Sequence, residues 1–367
     1  MLLLLLAGAA AFYLLQRIIY QRYWNAGLHI GVEFEAHSAY EGDVSYLREE
    51  ITNDKHLPLP ALEVNLAMDR ALKFSGDARE NANVTDQSYR RDLFSLFMRQ
   101  RVIRRLPFVC EKRGYYELTK ADVIGYDFFF QRSFHSDRIL RSALYVYPRL
   151  TDTRRIDLLC RAVSGMIVTQ NRLFPDPFCF FGIRDYHPSD PMHHINWKAS
   201  LKGQGLLVNQ FDSTTNIRLR IILDTEDSGI VRQEELTEEG IRIAASLGFR
   251  IVKERMELTV TGNGMNKVCL KDGAGQIQTL YRELSRIDIH KPVPRLWEEL
   301  RKEKEQPQSG IIYVIISMNQ DEDTARSIAS MAENVPLMWV IPLQNAGDCV
   351  TAPSGGVHIF KWEMNRS

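Results

Sequence analysis

The chain has 367 residues, and its 46 lysines and arginines balance 46 aspartates and glutamates. Zero net charge excludes the bulk attraction on which non-specific nucleic-acid binding rests, and 45% hydrophobic with 25% charged residues is ordinary globular composition. The five cysteines, Cys110, Cys160, Cys179, Cys269 and Cys349, are scattered without a CxxC pair, so they form neither a disulfide framework nor a zinc-finger spacing and suit a reducing compartment.

The N-terminus, MLLLLLAGAAAFYLL, carries no charged side chain through Leu15; Arg17 and Arg22 follow. A signal peptide carries its positive charge before the apolar run. Here the charge comes after it, which predicts a retained membrane helix over residues 1–24 with the following chain in the cytoplasm. On this reading Arg17 snorkels, and Tyr20, Tyr23 and Trp24 form an interfacial belt.

Residues 28–148 contain alternating runs, HIGVEFEA, YLREEITN, ALEVNLAMDR, RVIRRLPFVC and GYYELTKADV. Period-two alternation between turn signals predicts an antiparallel β-sandwich. Pro58 and Pro60 suit an edge strand, and the polar stretch from Ser75 to Asp92 reads as a loop. Arg99, Arg101, Arg104 and Arg105 read as a solvated strand face or a contact with anionic lipid.

From residue 216 onward the pattern changes. RLRIILD, MELTVTG, KVCLKD, GIIYVIIS, PLMWVIP and HIFKW alternate with amphipathic stretches near 233–255, 276–285 and 323–333, with a polar linker through 304–309. That alternation predicts an α/β domain with a mostly parallel sheet. Ligands in such folds sit beyond the carboxyl ends of the strands, so the loop Asp224-Thr225-Glu226-Asp227-Ser228-Gly229 is the first place to look. Small residues in the stretch near 233–255 are expected to pack closely on the sheet.

Between the two regions, residues 149–215 form a junction that includes FGIRDYHPSDPMHHINWKAS. His187, His193 and His194 lack the HExxH spacing that places two imidazoles on one helix face. Arg184 and Asp190 are expected to pair with each other or cap backbone groups, and Trp197 to wedge between the sandwich and the α/β domain. Alternatively, the segment is a partner's docking surface, comprising Arg184, Tyr186, Asp190, Trp197 and Lys198.

The run Arg184, Tyr186, Pro188, Asp190, followed by Ile195, Asn196, Trp197, Ala199 and Ser200, resembles the signature of the bacterial and archaeal family catalogued as domain of unknown function number fifty-eight. The resemblance also touches Arg113-Gly114-Tyr115-Tyr116 and Val146-Tyr147-Pro148. It implies an α+β multidomain protein: an N-terminal transmembrane helix, an antiparallel β-sandwich (28–148), and a von Willebrand factor A-like, Rossmann-like α/β domain (216–367). It also implies a partner, since genes of the family often lie beside those of MoxR-type AAA+ ATPases. Asn196 stands where the family usually has aspartate. The family usually begins with two membrane segments and one is visible, so either the protein is single-pass or its start lies late.

Related A-like domains often bind magnesium through Asp-x-Ser-x-Ser after the first strand. The matching positions are Asp224, Glu226 and Ser228, with Thr261, Asn319 or Asp321 as further candidates. Glutamate in place of the first serine leaves the ligand set incomplete, so no cofactor is expected beyond a degenerate magnesium site. No GxSxG, HExxH, GxxxxGK[ST] or GxGxxG motif occurs, and Gly262-Asn263-Gly264 lacks the third glycine. The expectation is a non-enzymatic, membrane-tethered interaction protein without nucleic-acid partners. The alternatives are a hydrolase with scattered catalytic residues and an outward-facing adhesion protein.

Overall fold

A computed structural model of the chain describes residues 2–74, 82–84, 87–173, 180–188, 190, 192, 195–201, 205–211, 218–227, 233–271, 274–305, 310–345 and 356–364. The chain divides into two compact units, Met1–Arg149 and Leu150–Ser367.

The first unit begins with helix α1 (Leu2–Tyr23), which is followed by β1 (Leu28–Phe34), β2 (Ser38–Tyr40), β3 (Val44–Asn53), β4 (Leu59–Asp69), β5 (Leu72–Phe74), β6 (Ala82–Val84), β7 (Gln87–Leu96), β8 (Gln100–Cys110), β9 (Gly114–Tyr126) and β10 (Ser133–Tyr147). The strands form two sheets, ordered β1-β3-β8-β5 and β2-β10-β9-β4-β7-β6. Every pairing is antiparallel except β2 with β10. Inward-facing residues such as Leu47, Ile51, Leu62, Val64, Leu66, Phe108 and Leu144 fill one core, as alternation on a half-buried sheet requires.

Two sequence expectations change here. β4 is an interior strand, not an edge. Its pairing with β7 skips from Leu59 to Leu62, and its pairing with β9 starts at Leu62. Pro60 therefore sits at an irregularity where no ladder N–H is needed. The polar stretch assigned to a loop contains β6 and the first six of the ten residues of β7. Its strand character is masked because Arg90 and Asp92 belong to an ionic network. Asp92 binds Arg90 (2.7 Å) and Arg104 of β8, and Arg104 binds Glu49 of β3 (2.8 Å). Burial, together with nearby Asp92, pushes the Glu49 carboxyl up to about 7 against the pull of Arg104. Arg104 thus leaves the solvated face, whereas Arg101 and Arg105 stay on it and pair with Glu50 and Glu35.

Within α1, the stretch Leu4–Tyr23 is long and apolar enough to cross a membrane. Its far end, however, belongs to the sandwich. Tyr20 and Trp24 are 3% and 7% exposed and join the core. The Tyr20 hydroxyl donates to the Pro58 carbonyl (2.8 Å), and Trp24 stacks on Phe134 at 5.9 Å. A Cβ at Gly125 would meet the Trp24 ring. Tyr20 and Trp24 are therefore core residues and not an interfacial belt.

The second unit contains α2 (Thr153–Leu173), β11 (Phe180–Asp185), α3 (Trp197–Ser200), β12 (Leu207–Phe211), β13 (Arg218–Leu223), α4 (Glu234–Lys253), β14 (Glu257–Gly262), β15 (Met265–Leu270), α5 (Ile277–Arg286), α6 (Leu296–Lys304), β16 (Ile311–Ile316), α7 (Glu322–Ala332), β17 (Leu337–Leu343) and β18 (His358–Glu363). β15-β14-β13-β16-β17-β18 form one sheet, parallel except at β15. β13, β16 and β17 are buried almost throughout, as a sheet covered on both faces requires. Leu296 and Leu300 of α6 and Ile328 and Met331 of α7 pack with Tyr313, Ile315, Trp339 and Ile341. α4 uses Gly240 near Ile316 and Leu223, but its closest approach is Gly248 against Leu280 of α5. That glycine thus serves helix-to-helix packing as well as contact with the sheet, since its Cβ would also meet Leu258 of β14. β11 and β12 form a separate antiparallel ribbon.

Candidate functional site

The first candidate is the loop after β13, where a parallel sheet offers its strand ends. Asp224 is 5% exposed, and its carboxylate meets four donors. Oδ1 accepts from the Glu226 backbone N–H (3.0 Å) and the Asn263 amide (2.6 Å); Oδ2 accepts from the Ser317 hydroxyl (2.6 Å) and the Asn319 amide (2.8 Å). Burial pushes the carboxyl above its usual range, and the donors act against that. A buried carboxylate is tolerated only when so satisfied.

The amides are held by second partners. The Asn263 oxygen accepts from the Thr225 N–H (2.8 Å) and hydroxyl (3.0 Å), and its nitrogen also donates to the Pro294 carbonyl (3.0 Å). The Asn319 nitrogen also donates to the Glu226 carbonyl (2.9 Å). Both side chains therefore present N–H groups, not oxygens, to Asp224. A hard cation needs oxygen ligands, so this residue set does not fit magnesium. Among the described residues, no group of three or more His, Cys, Asp or Glu could hold a metal.

Of the magnesium candidates, Asp224 and Asn319 meet in this knot, and Glu226 contributes its backbone. Burial and the neighbouring Asp224 raise the Glu226 carboxyl, and Arg295 lies 3.9 Å away. Asp321 instead caps α7 by accepting from the Thr324 N–H (3.1 Å). No hydrogen bond among the described residues joins Thr261 to Asp224, and Ser228 lies outside the described residues. Sequence reasoning missed Asn263. The signal was its flanking glycines: a Cβ at Gly262 would strike the Leu223 carbonyl, and one at Gly264 the Thr225 side chain. The glycines permit a close backbone approach.

The second candidate is the ribbon. Arg184 on β11 grips Asp190 through two bonds of 2.6 Å, and the His187 N–H adds a third to Asp190 at 2.9 Å. The Arg184 guanidinium and the His187 N–H hold the Asp190 carboxyl down at about 2. Tyr186 ties the loop back through its N–H to the Leu206 carbonyl (2.9 Å). His193 and His194 lie outside the described residues.

Trp197 does not wedge into a core. It is 62% exposed, and Lys198 beside it is exposed too. The inward position belongs to Ile195, which is buried and bridges to buried Val208. Asn196 fixes this arrangement. Its oxygen caps α3 at the Ala199 N–H (2.9 Å), and its nitrogen donates to Asn209 of β12 (2.7 Å). An aspartate could make the cap but could not donate to Asn209 as Asn196 does. With Ile195 inward, Trp197 is exposed, as are Ile183, Met192, Leu201 and Leu206 of the same segment. Exposed aromatic and aliphatic side chains of this kind can anchor a partner. They provide no nucleophile or general base.

No family model and no curated protein matches the chain. Among solved structures, the chain is similar to a non-cellulosomal cohesin from Archaeoglobus fulgidus (11% identity, 32% of this chain and 90% of that one, TM-score 0.23). It is also similar to a type II cohesin domain from Acetivibrio cellulolyticus (9% identity, 33% and 95%, TM-score 0.23) and a CARDB domain from Pyrococcus furiosus (10% identity, 32% and 94%, TM-score 0.18). At such scores the likeness carries no argument about this chain.

Proposed function

We propose that this chain is a non-enzymatic, membrane-tethered interaction protein that docks a partner through the ribbon surface around Trp197. The observation that carries this reading is the exposure of Trp197 on a segment whose conformation is otherwise locked by Arg184, Asp190 and Asn196. A large aromatic held outward on a rigid element is what a binding anchor requires. The Asp224 knot supports the non-enzymatic part, because every acceptor position of its carboxylate is already engaged within the protein. On this reading, the second unit is a von Willebrand factor A-like domain whose metal position has been replaced by an internal hydrogen-bond network.

The apolar run of α1 supports membrane tethering. Arg17 and Arg22, placed after that run, support a cytoplasmic body. The proposed partner is a MoxR-type AAA+ ATPase, in the assembly or maturation of a third component. The test is binding of the purified ATPase from the same organism to the full chain in detergent, with and without ATP and magnesium. Nucleotide-dependent binding supports the reading. Absence of binding to a folded chain removes that partner. A C-terminal alkaline phosphatase fusion should be inactive, and an active one would reverse the topology.

A further inference from the structure

Four connections lie at one end of the sandwich: the α1–β1 link and the turns β3–β4, β7–β8 and β9–β10, since Leu28 pairs with Asn53, Asn53 with Gln100, Leu59 with Leu96 and Ser133 with Tyr126. Two of these turns carry exposed apolar tips. One holds Phe97 and Met98; the other holds Phe128, Phe129 and Phe130, at 56%, 44% and 61% exposed.

The β9–β10 tip is built to show its rings. Phe130 has φ 56°, in the left-handed region, where a bulky residue costs about 1–2 kcal/mol and Gly or Asn is the usual occupant. Asp127 holds the turn by accepting from the Gln131 N–H (2.7 Å) and the Arg132 N–H (3.3 Å). A turn that only reversed the chain would not need three phenylalanines. The β7–β8 tip repeats the device, with Arg99 at φ 52°.

The tip also has a fixed height along the helix. Phe129 meets the Tyr13 ring at 5.9 Å, and the Tyr13 hydroxyl donates to Gln131 at 3.3 Å. Tyr13 lies about 16 Å along the axis from Trp24, at 1.5 Å per residue. With the water–lipid boundary at Trp24, the tip and Arg132 would sit that deep in hydrocarbon, which is costly for a charge. With the boundary at Tyr13, the phenylalanines reach the acyl region, the arginines meet head groups, and the helix up to Phe12, about 17 Å long at 1.5 Å per residue, enters the bilayer without crossing its hydrocarbon core of about 30 Å. Arg17, Arg22, Arg99 and Arg132 form no ion pair among the described residues, in contrast to Arg101, Arg104 and Arg105.

We propose that this end of the sandwich is a second membrane contact: Phe97, Met98 and Phe128–Phe130 enter the head-group–acyl boundary of an anionic bilayer at the level of Tyr13. The inference rests on the membrane-tethered reading above. Interfacial burial of apolar side chains beside cations is the chemistry of such contacts.

The test uses the full chain in phosphatidylcholine–phosphatidylglycerol vesicles brominated on the acyl chains. An environment-sensitive fluorescent amino acid is placed at position 6, 129 or 115, the last being an exposed site at the other end of β9. Blue-shifted emission and bromine quenching at positions 6 and 129, without either at 115, are expected. Quenching at 6 but not at 129 overturns the tip contact and leaves the helix anchor. Quenching at none of the three overturns the membrane reading itself. Equal quenching at 115 and 129 overturns the orientation.

Discussion

The side-chain amide of Asn263 bonds the carboxylate of Asp224 at 2.6 Å while its oxygen accepts from Thr225. This relationship makes a strand-end carboxylate part of a closed polar knot that joins the ends of β13, β14 and β16. Asp224→Asn replaces one acceptor oxygen with an amide nitrogen facing donors. An unmet buried donor costs about 1–3 kcal/mol, so a loss of about that size in denaturant melts is expected. Magnesium should leave the melting temperature of the parent unchanged. A magnesium-dependent rise that Asp224→Asn abolishes would contradict the knot.

Glu49 sets a pH dependence for the first unit. Its folded pKa, about 7, lies above the ordinary carboxylate value, because burial and Asp92 outweigh Arg104. Between the ordinary range and about 7, the folded state keeps a proton that the unfolded chain has released. Stability therefore falls as pH rises through that window, by at most on the order of 2–3 kcal/mol. Asp92 is shifted the other way: burial acts to raise it, but Arg90 and Arg104 hold it low, so its contribution is lost only in acid. Glu49→Gln should flatten the decline in melting temperature between pH 5 and pH 8. An unchanged slope would mean that another group titrates.

Trp24 is expected to behave as a core residue. Trp24→Ala removes a buried ring packed on Phe134 and facing Gly125, and should cost about 3–5 kcal/mol in the first unit. A residue serving only as an interfacial anchor would leave the unfolding of the sandwich unmoved.

The sequence showed what is periodic and hid what is paired. β1, β3, β4, β8 and β9 announce themselves through alternating apolar residues, and the buried runs of β13, β16 and β17 through their aliphatic density. β7 was hidden because its Asp92 is satisfied by Arg90 and by Arg104 of β8, which in turn binds Glu49 of β3, a residue remote in sequence. α6 was hidden because only Leu296 and Leu300 of its nine residues are buried. In the site, Asp224 was legible as the end of a buried strand. Asn263 was not, because a glycine-flanked residue after a strand suggests a phosphate loop before a hydrogen-bond bridge. Trp197 misled for a related reason. Tryptophan is usually largely buried, and nothing local shows that Ile195, held by the Asn196 cap, takes the inward position.

The central claim is that the surface around Trp197 serves binding and not folding. The most direct measurement pairs a thermal melt of Trp197→Ala with its affinity for the purified MoxR-type ATPase, using the full chain. A 62% exposed side chain contributes little to the core, so the melting temperature should match the parent within the range of surface substitutions, about ±0.5 kcal/mol. An exposed aromatic anchor typically contributes about 2 kcal/mol or more to binding, so affinity should fall roughly thirtyfold or more. A variant that binds as tightly as the parent, or that loses binding only in proportion to lost folding, would contradict the account.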